Sequence, residues 1–106
     1  MVTAEQIRQG KTLAVNAGQA MYQQIGERDA CGFGWVEVYV DRTNSKQAKE
    51  LIAAGFKKDY KPKCLSMWDP AGVPTQSISV KEAGADAYAK YLQALGLRAY
   101  GCSRLD

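Results

Sequence analysis

"FGWVEVYVDRTNSKQAKE", residues 33–50, places a strand and the start of a helix side by side. Its first nine residues alternate. Val36, Val38 and Val40 fall on one side, and Phe33, Trp35, Glu37 and Tyr39 on the other. A period of two is the mark of a half-buried strand. The chain then turns through Asp41, Arg42 and Thr43. Asn44, three residues ahead of Gln47, has the spacing of a capping box, in which the two side chains satisfy the first free amides of a helix.

The same spacing recurs at Thr3/Gln6 and Ser79/Glu82, and Gly26, Gly55 and Gly96 supply helix stops. Helices are therefore expected over 4–25, 45–54 and 80–95. Strands are expected over 33–41, 56–60, 63–69 and 97–104, with Lys61-Pro62 as the turn of a hairpin. The stretch "PAGVPTQSI", 70–78, reads as a loop. After the first helix the order is strand, helix, strand, strand, helix, strand, the split pattern of ferredoxin-like domains. The expectation is an α+β fold: a ferredoxin-like βαββαβ antiparallel sheet with one additional N-terminal helix. A chain of 106 residues makes this a single domain, with the N-terminal helix in 1–28 and the core in 31–106.

Composition narrows the chemistry. A net charge of +3 favours anionic partners only mildly, short of the bias of a duplex-DNA binder. There is no histidine, so the commonest general base and metal ligand are both missing. Cys31, Cys64 and Cys102 are odd in number and lack CxxC spacing, which argues against zinc. Cys31 reads as a small buried thiol. Glu37, Asp41, Asp69, Asp86 and Asp106 form no pair by spacing, so no catalytic residues are assigned. No glycine-rich loop marks a mononucleotide or dinucleotide cofactor site, and no cofactor is expected. No apolar run approaches the roughly 20 residues of a membrane span, and Met1 leads straight into a polar helical stretch. The expectation is a soluble, cytoplasmic protein with reduced thiols.

Strand parity then defines two faces. Val36, Val38, Val40, Leu65, Met67, Leu97 and Ala99 belong with the helices. The other face collects Phe33, Trp35, Glu37, Tyr39, Cys64, Ser66, Trp68, Arg98, Tyr100, Cys102 and Arg104. A bare aromatic face of this size signals an interaction. Either the N-terminal helix or a second subunit covers it, or it is a stacking platform for nucleobases with arginines for phosphate. The first helix carries Gly10, Ala14 and Gly18 at intervals of four, a stripe for close approach within the domain or between subunits. "DRTNSK", 41–46, sets Arg42, Thr43, Ser45 and Lys46 around a helix N-terminus. That serves as ordinary capping or as a phosphate cradle.

"CGFGWV" at 31–36, "TNSK" at 43–46, Trp68, Gln76 and the closing "AYAKYLQALGLRAYGCSRLD" at 87–106 resemble a widespread family of small bacteriophage proteins. Its members carry a CGFAWV-like segment and end in Ser-Arg-Met/Leu-Asp. Gly34 stands where the family usually has alanine. The first helix resembles the family only as an alanine- and glycine-rich region. The resemblance implies overlap with the phage sponge proteins that sequester cyclic oligonucleotide signals of bacterial anti-phage immunity (anti-CBASS proteins). It thus implies a non-catalytic homo-oligomer that binds a cyclic dinucleotide in the cytoplasm of the infected host. The ligand-binding residues expected are Trp35, Lys46, Trp68, Tyr100 and Arg104, then Arg42, Thr43 and Ser45. Two other readings stand beside this one: a single-stranded nucleic-acid binder, and a protein–protein module that inhibits a host factor.

Overall fold

Each expected element forms, with shifted ends. The computed structural model describes residues 1–106 as α1 (Ala4–Ile25), β1 (Gly32–Tyr39), α2 (Lys46–Ala53), β2 (Lys57–Lys58), β3 (Cys64–Trp68), α3 (Ile78–Ala94) and β4 (Arg98–Leu105). The strands make one antiparallel sheet in the order β2-β3-β1-β4. The architecture is α+β and compatible with a ferredoxin-like fold.

Thr3 caps α1 with the reciprocal Gln6 bond that the spacing predicts. The other two helix starts differ. Ser45, not Asn44, caps α2, accepting from the Ala48 amide. Ser77, not Ser79, caps α3, because its hydroxyl reaches the Val80 amide and Asp29 takes the Ser79 amide from outside the helix. β2 is only two residues long, since Asp59 and Tyr60 already belong to the turn.

The register confirms the parity of the strands. Val36 pairs with Met67 and Val38 with Leu65 and Ala99, on the helix side. They share one core with Ile7, Ala14, Leu51, Phe56, Tyr88 and Leu92. The small-residue stripe of α1 is an intrachain seam. A Cβ at Gly10 would lie 2.6 Å from the Tyr88 ring, and one at Gly18 2.6 Å from Ala71. The Tyr88 and Tyr91 hydroxyls fasten this seam by donating to the Ile7 and Gln6 carbonyls at 2.7 Å. A Cβ at Gly34 would lie 2.7 Å from the Lys81 backbone, so α3 rides closer to β1 than alanine would permit. α1 packs on α3 and α2 and touches no strand, so it does not cover the aromatic face. No helix is long and apolar enough to cross a membrane.

Candidate functional site

The face turned away from the helices is built from odd positions of β1 and even positions of β3 and β4. Trp35 pairs with Trp68 and Cys102, Glu37 with Ser66 and Tyr100, Tyr39 with Cys64 and Arg98, and Phe33 with Arg104. Cross-strand neighbours of this kind have their side chains in contact.

At one end the rings form a cluster. Trp35 and Trp68 stack at 4.5 Å and 12°, and Phe33 meets Trp68 edge-on at 6.0 Å. The Arg104 guanidinium lies 5.3 Å from the Phe33 ring and 5.9 Å from Trp68. Lys81 adds its ammonium at 5.6 Å from Phe33 while donating to the Gly32 carbonyl. Trp68 remains 48% exposed. On its other flank is a depression of about 380 Å³ lined by Gly55, Lys57, Ser66, Met67 and Trp68. The short β2 leaves this space open. Asp69, directly after Trp68, adopts a left-handed φ of 47° as the chain leaves the sheet.

The centre is closed by its own side chains. Glu37 is 4% exposed although no helix lies above it. Trp35 Nε1 donates to Oε2 at 2.9 Å, Lys61 Nζ to Oε2 at 2.8 Å, and the Tyr39 hydroxyl to Oε1 at 3.0 Å. Burial pushes the Glu37 pKa up. The hydrogen bonds from Lys61, Trp35 and Tyr39 outweigh it, so the carboxylate sits below the usual glutamate value. Lys61 is held above the usual lysine value by the same bond, and the Tyr39 phenol is raised to about 12. Glu37 thus anchors the centre of the face through three hydrogen bonds donated to it, two on Oε2 and one on Oε1. Beside this network Tyr100 is 51% exposed and meets Tyr39 edge-on at 6.0 Å.

Past the far end lies "DRTNSK". Arg42 and Lys46 are exposed, and Thr43 and Ser45 are half-buried. Ser45 spends an acceptor on the cap, and the residue lines a cleft of about 270 Å³ with Tyr39, Asp41, Gln47 and Arg98. Arg98 pairs with Asp41 at 3.3 Å. From Phe33 to Tyr39 is six strand residues, or about 20 Å. The structure therefore brings Trp35, Trp68 and Arg104 together, with Tyr100 further along the face. Lys46, Arg42, Thr43 and Ser45 form a separate group past the other end of β1.

Sequence reasoning missed Lys61, Lys81 and Lys57. Lys61 reads as a turn residue, and only the hairpin's register shows that it folds back over Glu37. Lys57 shares the open face by its pairing with Ser66, a parity hidden by the brevity of β2. Cys31 is exposed, contrary to the expectation of burial. Its odd position continues the open face of β1, where no element covers it, whereas Cys64 is the buried thiol. Comparison of the chain with protein-family models, curated proteins and solved structures finds no match.

Proposed function

We propose that this chain is a ferredoxin-like, phage-encoded binding protein that sequesters a nucleotide signal, a cyclic dinucleotide, and so blunts host anti-phage immunity from within the bacterial cytoplasm. It acts without catalysis and as a homo-oligomer. One observation carries the reading: a half-exposed tryptophan, backed by a second one, lies between Arg104 and a depression containing Lys57 and Ser66. A purine stacks on Trp68, a contact worth about 1–3 kcal/mol per base. Arg104 and Lys57 flank it as phosphate partners, and Tyr100 extends the platform. The Glu37–Lys61 pair holds the surface rigid and offsets the carboxylate's charge beneath an anionic ligand. The burial of Glu37 beneath Trp35, Tyr39 and Lys61 favours capture over turnover, since a general base must reach its substrate. The resemblance to the phage family supplies the class of ligand.

The test is calorimetric titration with cyclic GMP-AMP. Arg104→Ala should abolish binding while leaving the circular dichroism spectrum and thermal unfolding unchanged. Unchanged affinity in that variant would sink the assignment. A second reading has its own observation: cations line both sides of the face, Lys57 on one and Arg98 and Arg104 on the other. That suits a single strand of nucleic acid laid across the sheet. Oligonucleotide affinity falling steeply with salt, alongside no cyclic nucleotide binding, would select it.

A further inference from the structure

β4 is an edge strand of the sheet. It runs eight residues, pairs with β1 without interruption, and carries no proline or bulge. Such an edge is a ready template for another strand unless it is blunted. Its free groups can be assigned. The Asp106 amide donates to the Cys31 carbonyl, so the even positions of β4 face β1. Ala99, Gly101, Ser103 and Leu105 therefore turn their amides and carbonyls outward. Of these, the Ala99 carbonyl already accepts from Gln93 at 2.6 Å, and a carbonyl has a second lone pair.

We infer that β4 pairs with β4 of a second copy, antiparallel about a two-fold axis at Cys102, which joins the two aromatic faces into one surface. The choice of partner and register rests on charge complementarity. With Cys102 opposite the partner's Cys102, Gly101 exchanges hydrogen bonds with the partner's Ser103, and Ala99 with the partner's Leu105. On the aromatic side Arg98 then faces the partner's Asp106, and Tyr100 the partner's Arg104. These are an ion pair and a cation–π contact, each made twice by symmetry. Centring the axis on Gly101 instead sets Arg98 against the partner's Arg104, two like-charge contacts. Centring it on Ser103 shortens the ladder, because β4 spans Arg98–Leu105. The favoured register also unites Tyr100 and Arg104, which one chain holds about 13 Å apart along β4. This interface specifies the assembly in the proposed function and does not depend on the ligand. A monomer that binds cyclic nucleotide would overturn the interface alone, and a β4-paired dimer without nucleotide affinity would overturn the ligand alone.

The test combines sedimentation velocity with thiol cross-linking. The reduced protein should sediment at twice the 11.6 kDa chain mass. Opposed Cys102 residues would occupy a non-hydrogen-bonded pair with Cα atoms about 4.5 Å apart, within disulfide range. Diamide, which takes up the two electrons and two protons released by two thiols, should therefore link the Cys31→Ser protein into a covalent dimer. Work at pH 8.5 offsets the burial that pushes the Cys102 thiol up. Adding Cys102→Ser should abolish the link. Ser103→Pro removes an outward amide that the monomer does not use, and should raise the dimer dissociation constant by about tenfold or more. A monomeric wild type would overturn the inference. So would a dimer that diamide fails to link through Cys102, a result that decides the matter even if Ser103→Pro does not fold.

Discussion

On the helix side of the sheet, Val36, Val38, Leu65 and Ala99 are hidden beneath α2 and α3. On the other side Glu37 is hidden almost as fully with no element above it. The first face is closed by apolar fit, down to Gly34, where a methyl group would collide with the Lys81 backbone. The second is closed by side chains of its own strands, which wrap one carboxylate in three donors. Burial on a sheet therefore does not require a covering layer. It requires that each polar group sent inward find its partners. The difference has a consequence for function. The helix side is spent on stability, whereas the other face keeps Trp68, Tyr100 and Arg104 exposed on a rigid base.

Disrupting the helix side should have the largest effect. Tyr88→Ala removes a fully buried ring and its bond to the Ile7 carbonyl, and should cost about 3–5 kcal/mol in urea unfolding. Breaking the open face at its centre should cost less. Glu37→Ala strands the Trp35 and Tyr39 donors and frees Lys61, for a loss of roughly 2 kcal/mol by the same measurement. The exposed rim should separate affinity from stability. Trp68→Ala should weaken nucleotide binding by about 1–3 kcal/mol in calorimetry while shifting unfolding little.

Acid should have a smaller effect. Hydrogen bonds from Ser77 and Ser79 lower the Asp29 pKa from 3.8 to about 2 at the start of α3. A depressed folded value means that its stabilising contribution is complete above about pH 4 and is lost as pH falls toward 2. Unfolding midpoints measured across that window should decline, and Asp29→Asn should flatten the slope. Least of all should come from Lys46→Ala, which lies beyond the far end of β1. Nucleotide affinity should change by less than about 0.5 kcal/mol, and a larger loss would move the site to "DRTNSK".

Much of this comparison was legible in the residues. Alternation from Phe33 to Tyr39 assigned both faces correctly because a period of two leaves no third option. Capping chemistry located three helices, but Ser45 and Ser77 displaced Asn44 and Ser79 because neighbouring caps compete. That choice turns on where the preceding strand or loop delivers the chain. What the sequence hid was distance and reach. Arg104 and Lys46 look interchangeable as cations, yet one sits against Phe33 and Trp68 and the other lies past the opposite end of β1. Lys61 folds over Glu37 only because the hairpin register brings it there. Gly10, Ala14 and Gly18 marked a close seam, and only Tyr88 and Tyr91 on α3 showed it to be internal.

The most direct test of the open face as a binding face is native mass spectrometry of the purified protein with a panel of cyclic di- and trinucleotides and a short single-stranded oligonucleotide. The account predicts a dimer that retains intact cyclic dinucleotide at integral stoichiometry and loses it in Arg104→Ala. A protein that retains none of the panel would contradict it and leave the aromatic face as a surface for assembly or for a host protein.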